Sequence, residues 1–151
     1  MHLFRAHLGA PDNTLRGAMK PEEIVRAEMA AWGRNDVDEV MSHFAEGARF
    51  DIGPAYPKLT GRDAIGKLMK QFFGRGTCVE LEIRHLAVDG NVVLMERRDH
   101  WILDGKDTGW PVMGAYEVRD EKITAWREYF YPPTESAFNG QRQAATRQRT
   151  H

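Results

Sequence analysis

The chain is poor in cysteine, in net charge and in long apolar runs. Its one cysteine in 151 residues, Cys78, leaves no internal disulfide possible, and no zinc-type Cys/His spacing accompanies it. A reducing cytoplasm is therefore the expected setting. Lys and Arg number 21 against 22 Asp and Glu, a net charge of −1, which excludes a polybasic nucleic-acid binder and an acidic disordered chain. No apolar stretch approaches the ~20 residues needed to cross a bilayer. The opening MHLFRAHLGAP lacks the apolar core of a secretion signal. Neither nucleic acid nor membrane is expected as a partner. What is present, 42% hydrophobic and 10% aromatic residues, suffices for one domain around a single core.

Residues 1–18, with Gly9, Pro11, Asp12, Asn13 and Gly17, read as a flexible extension, 19–133 as the domain, and the polar stretch 134–151 as a mobile tail. Pro21 followed by Glu22 and Glu23 suits a helix start. Ile24, Val25, Met29 and Trp32 continue it at helical spacing, and Gly33 to Asp36 ends it. Val37, Val40, Met41 and Phe44 predict a short second helix, and Ala48 to Ile52 a strand. Gly53 to Leu59, with two prolines, predicts a loop. Asp63 is placed as N-cap of a third helix carrying Ile65, Leu68, Met69, Phe72 and Phe73 on one stripe.

From Cys78 the hydrophobic period changes from 3.6 to 2. Val79, Leu81 and Ile83 alternate with charges up to Asp89-Gly90-Asn91, and Val92 to Leu103 alternates again. A three-residue loop would pair Val88 with Val92. That register sets Glu82 opposite Arg98, Arg84 opposite Glu96, Ile83 opposite Arg97, Leu81 opposite Asp99 and Val79 opposite Trp101. Trp110 to Val118 and Ile123 to Tyr131 form a second hairpin about Arg119 to Lys122. Helices first and a meander of long strands after them predict an α+β domain, a cone whose curved sheet wraps onto the N-terminal helices.

Three charges fall on an apolar face. Val93, Met95, Arg97, Asp99, Trp101 and Leu103 point one way, and Thr124, Trp126, Glu128 and Phe130 share a side of the last strand. Arg97, Asp99 and Glu128 thus converge among aromatics. Gly114 is expected near Glu128, if Tyr116 pairs with Trp126, with its missing side chain leaving space for a ligand. Two carboxyls flanking one guanidinium in a cavity can hold different protonation states, one donating a proton while the other accepts one. The alternative is a structural ion pair with a spare acid. His85 and His100 fall on the outer parity, and His43 sits on a helix without a metal-binding companion, so no metal is expected. Trp32, Met29, Met69, Phe72 and Phe73 read first as core. Cys78 lacks a His partner, which argues against a nucleophile.

Gly61-Arg62-Asp63-Ala64-Ile65, Glu96-Arg97-Arg98-Asp99 and Lys122 to Phe130 (KITAWREYF) together resemble the limonene-1,2-epoxide hydrolase family over roughly Met19 to Tyr131. The wider superfamily includes ketosteroid isomerases, scytalone dehydratases and SnoaL-like polyketide cyclases. The resemblance implies a cystatin-like α+β barrel of antiparallel or mixed sheet and a hydrolysis that uses no cofactor and no metal. It assigns Asp99 as general acid, Arg97 as the bridge and Glu128, where the family usually has Asp, as general base. The family's water-holding Tyr and Asn are replaced by Phe50 and Ile52, leaving Asp51 or Tyr56 as possible substitutes.

The expected substrate is a hydrophobic small molecule. It would touch Phe50, Ile52, Tyr56, Trp101 and Trp110, and on the last two strands Val112, Gly114, Trp126 and Phe130. Epoxide hydrolysis is the leading expectation, a SnoaL-like lyase, isomerase or dehydratase the second, and a non-catalytic ligand-binding pocket the third. Relatives also imply a homodimer.

Overall fold

A computed structural model describes residues 17–53 and 56–130. Apart from residues 17 and 18, the expected extension lies outside the described residues, as do the expected tail and Tyr131.

Helix α1 (Pro21–Gly33) starts on Pro21, and Glu23 accepts the Lys20 backbone N–H at 2.7 Å, satisfying a donor that the first helical turn leaves free. In α2 (Val37–Ser42) the N-cap Asp36 accepts the Glu39 N–H at 2.9 Å. Phe44, expected at the end of this helix, instead opens strand β1 (Phe44–Asp51) and remains fully buried. The two-residue strand β2 (Leu59–Thr60) ends the proline-rich loop. Helix α3 (Arg62–Gly74) begins two residues earlier than expected. Its N-cap is Gly61, whose φ of +98° favours glycine, whereas Asp63 lies inside the first turn without a capping bond. There its charge still complements the helix N-terminus.

Strands β3 (Gly76–Asp89), β4 (Val92–Leu103), β5 (Lys106–Arg119) and β6 (Lys122–Phe130) complete a sheet in the order β2-β1-β6-β5-β4-β3. β1 runs parallel to β6 and every other pair is antiparallel. The fold is α+β, a six-stranded mixed sheet with N-terminal helices, as expected. Helix α1 packs against β3, β4, β5 and β6, and α3 against β1. Asn35 fixes the end of α1 over the sheet. It donates from Nδ2 to the Cys78 carbonyl at 3.1 Å and accepts the Cys78 N–H on Oδ1 at 2.7 Å.

The β3–β4 register agrees with expectation at its centre and departs from it at both ends. The turn is Gly90-Asn91 alone, so Asp89 pairs with Val92 and Val88 with Val93. A bulge at Arg84 then restores Ile83↔Arg97, Glu82↔Arg98 and Leu81↔Asp99. Arg84 therefore does not face Glu96; His85 pairs with it, while Arg84 approaches Glu82 at 3.5 Å. A second bulge at Val79 places Cys78, not Val79, opposite Trp101, burying the thiol and leaving Val79 exposed. Each bulge adds one residue and sharpens local twist, which bends this long hairpin without moving the central pairs.

Candidate active site

The alternation of β4 turns Val93, Met95, Arg97, Asp99 and Trp101 inward, all of them buried. Arg97 is 1% exposed, Asp99 2% and Glu128 8%, so these are interior charges, not a solvated face. The second hairpin sets Tyr116 opposite Trp126 and Gly114 opposite Glu128.

The guanidinium joins all three strands. Arg97 donates from Nε to Asp99 Oδ1 at 2.7 Å and from Nη2 to Asp99 Oδ2 at 3.1 Å. Nη2 also donates to Glu128 Oε1, and Nη1 donates to the Tyr116 hydroxyl at 3.1 Å. Glu128 Oε1 accepts a further bond from Trp126 Nε1 at 3.1 Å. Both donors therefore hold the same oxygen, and among the described residues no hydrogen bond reaches Oε2.

Burial pushes the Asp99 carboxyl above its ordinary range, although Arg97 pulls it back. Burial raises Glu128 likewise, with Arg97 opposing the rise and Asp99 adding to it. Arg97 stays charged: burial works against its charge, but Glu128, Tyr116 and Asp99 outweigh it. Two buried acids that share one cation influence each other's ionisation, so their titrations are coupled.

A cavity of about 360 Å³ opens onto this set. Arg97, Asp99 and Glu128 are its buried polar groups, whereas Tyr56, Gln71 and Arg75 are exposed. Between the two lie aromatic walls from Trp32, Phe50, Phe72, Trp110, Trp126 and Phe130. A volume of this size with few polar groups suits a small apolar guest. A separate surface groove between α2 and α3, lined by Asp38, Asp63, Lys67 and Lys70 among others, contains none of these groups.

Of the expected lining residues, Phe50, Ile52, Tyr56, Trp110, Trp126 and Phe130 reach the cavity. Trp101, Val112 and Gly114 do not. Trp101 is enclosed by Trp32, Phe72 and Phe73, with ring centroids 5.9, 4.7 and 5.4 Å away, and Val112 is buried in the core. The space beside Gly114 belongs to the ring of Tyr116, not to a ligand. A Cβ there would lie 2.8 Å from Tyr116 Cε2 and 3.2 Å from its hydroxyl. That ring is fully buried and stacked on Trp126 at 5.8 Å, so it has little room to yield. Gly114→Ala is expected to lower stability by about 1–3 kcal/mol, read as a reduced urea midpoint; an unchanged midpoint would show that the ring can move aside.

Asp51 does not replace the water-holding donors. It turns away to Lys58 at 3.0 Å and accepts the Gly53 N–H at 3.0 Å. His85 and His100 face outward and pair with Glu96 and Asp107, each at 2.7 Å. No cluster of metal-holding side chains occurs among the described residues. Burial raises the Cys78 thiol to about 12, far from a reactive thiolate.

Sequence reasoning missed two buried members of this neighbourhood, Glu28 and Tyr116. Glu28 lies four residues from both Ile24 and Trp32, on the apolar stripe of α1, so the test applied to the strands would have found it. It is 0% exposed.

Comparison with known proteins identifies the family and the fold. The family model for the limonene-1,2-epoxide hydrolase catalytic domain matches residues 19–134. The epoxide hydrolase EphG of Mycobacterium tuberculosis (strain ATCC 25618 / H37Rv) is 29% identical over 106 residues, 70% of each chain. The solved structure of a limonene-epoxide-hydrolase-like epoxide hydrolase from M. tuberculosis superposes with a TM-score of 0.66 at 28% identity, covering 74% of this chain and 82% of that one. A putative isomerase from Bacillus subtilis shares the fold, with a TM-score of 0.70 at 22% identity over 81% of this chain and 97% of that one. The family match spans both long hairpins and all three interior charges, and this chain accordingly belongs to the limonene-1,2-epoxide hydrolase family, a family of hydrolases.

Proposed function

We propose that this protein adds water to the epoxide ring of a hydrophobic small molecule, using its own acid and base without a cofactor. One observation carries the reading. Glu128, held at Oε1 by Arg97 and Trp126, lines the same cavity as Asp99. Glu128 takes a proton from water as the water oxygen bonds to one ring carbon. The C–O bond breaks toward the epoxide oxygen, which receives the Asp99 proton. Arg97 holds both acids at the spacing the reaction needs and balances the negative charge they share. One proton has then moved from Asp99's side of the site to Glu128's and must return before the next turnover.

The aromatic walls exclude bulk water and favour an apolar guest. In the same reading a second copy of the chain covers the exposed Leu94, Ile102, Met113 and Tyr129. The setting is the cytoplasm; among the described residues no helix is long and apolar enough to cross a membrane.

A second reading, proton-transfer chemistry of the lyase, isomerase or dehydratase kind, draws on Phe50 and Ile52. Both line the cavity where neither side chain can hydrogen-bond a nucleophilic water. Turnover of styrene oxide and limonene oxide in oxygen-18 water separates the two. Hydrolysis places one labelled oxygen in a diol, whereas an unlabelled rearranged product supports the second reading. Saturable binding with no product from either would instead support a carrier.

A further inference from the structure

Tyr116 touches both of the side chains that hold Glu128. Its hydroxyl oxygen accepts from Arg97 Nη1 at 3.1 Å. Its ring lies nearly parallel to the Trp126 indole, with 17° between the planes and 5.8 Å between centroids. Arg97 Nη2 and Trp126 Nε1 in turn donate to one oxygen, Glu128 Oε1. Yet Tyr116 is 0% exposed and does not border the cavity. Whatever it contributes to the site must pass through those two neighbours.

Each contact answers a physical need. Asp99 and Glu128 accept from Nε and Nη2, and among the described residues the acceptor for Nη1 is the Tyr116 hydroxyl. Without it a buried cation would keep an unpaired donor, which is costly, and the planar fork would be held along one edge only. A carboxylate in its place would add a third anion to a single guanidinium. Burial raises the phenol well above its ordinary range, against the pull of Arg97, so the oxygen accepts without adding charge. The ring supplies a different constraint. Phe44, Phe50 and Trp32 meet the indole at 44°, 56° and 89°, whereas Tyr116 stacks on it. An offset stack sets the tilt of the indole plane, and that tilt aims Nε1–H at the acid. Glycine at 114 leaves the room this ring occupies.

We propose that Tyr116 is a positioning residue that holds Arg97 by its hydroxyl and Trp126 by its ring, so that both donors converge on Glu128 Oε1. The assignment rests on Glu128 being the base of the proposed hydrolysis.

The test separates hydroxyl from ring. Tyr116→Phe keeps the stack and removes the acceptor, whereas Tyr116→Leu removes both. Rates are measured with styrene oxide, and nitrogen-15 NMR follows the Arg97 Nη hydrogens and the Trp126 Nε1–H. In wild type the Arg97 hydrogens should give separate signals, because bonds at all three nitrogens stop the guanidinium from turning. Tyr116→Phe should merge the signals of Nη1 and leave that of Trp126 in place. It should lower kcat by about 10- to 100-fold, the worth of one hydrogen bond to a charged group, with KM nearly unchanged. Tyr116→Leu should move the Trp126 signal as well and lose more rate. Should it fail to fold, Gly114→Ala, which crowds the same ring, takes its place.

Unmerged Arg97 signals, an undiminished kcat in folded Tyr116→Phe, or a loss confined to KM would each overturn the assignment. Equal rates in the Phe and Leu variants would overturn the part given to the ring. The NMR readout needs no substrate. Merged signals in Tyr116→Phe, where wild type leaves epoxides unchanged, would support the hold on Arg97 and count against epoxide hydrolysis instead.

Discussion

Glu128→Gln is expected to lower kcat for a hydrophobic epoxide by roughly 10²–10⁴-fold, the usual contribution of a positioned general base, while leaving the fold intact. The substitution keeps the side-chain length and an oxygen that can accept from Arg97 Nη2 and Trp126 Nε1, the two donors now on Oε1. What disappears is the carboxylate that the proposed mechanism uses to take a proton from water. Asp99→Asn should cost a similar factor by removing the proton donor. It should also cost stability, because an amide cannot accept from both Arg97 Nε and Nη2 without turning its own NH2 toward the guanidinium.

The pH profile adds a second readout. Wild type should give a bell-shaped kcat, with both limbs above the ordinary carboxylate range, because burial raises both acids. The residual activity of Glu128→Gln should lose the acidic limb, which reports ionisation of the base, and keep the alkaline one. Full activity in a folded Glu128→Gln protein would remove this residue from the chemistry.

Arg97→Met should destabilise the protein by about 3–5 kcal/mol near neutral pH, as expected when one partner of a buried ion pair is removed. Methionine fills much of the space, but Asp99 and Glu128 then lose the cation that lies within hydrogen-bonding distance of both. Their folded-state pKa values already lie above the unfolded ones, and removing Arg97 raises them further. Such groups leave stability intact at low pH, where folded and unfolded chains are both protonated. They erode it as pH climbs above the unfolded carboxyl range, where only the folded chain still holds the protons. The variant's deficit in urea midpoint should therefore be small near pH 4 and grow toward pH 7. A deficit independent of pH would assign the loss to packing rather than charge.

Much of this site was legible in the sequence because strand parity is a strict code. Arg97 and Asp99 share a face with Met95 and Trp101 whatever the length of the preceding turn, and Glu128 shares one with Trp126 and Phe130. The central pairs of β3 and β4 were also correct, although the turn was one residue shorter than expected and Arg84 compensated as a bulge. Such compensation leaves no mark in the alternation pattern. Asp63 was misplaced because an N-cap is normally read from a side chain, whereas here it is set by a backbone angle that Gly61 adopts. The role of Gly114 was misjudged for a related reason: a missing side chain shows that space exists, not which neighbour fills it. The cavity walls supplied by Trp32 and Phe72 depend on how α1 and α3 sit against the sheet. Helical periodicity marks both residues as inward-facing without telling core from wall.

The proposed proton-handling groups sit on β4 and β6 in the middle of the sheet, whereas half of the aromatic wall comes from α1, α3 and β1. Reactivity and shape selection are thereby housed in different segments of the polypeptide. Exchanges at Phe50, Ile52, Leu68 or Phe72 should retune which guest is admitted while leaving the ionic machinery undisturbed. Trp126 is the exception, because one indole both borders the guest and grips the base, so altering it would change selectivity and rate together.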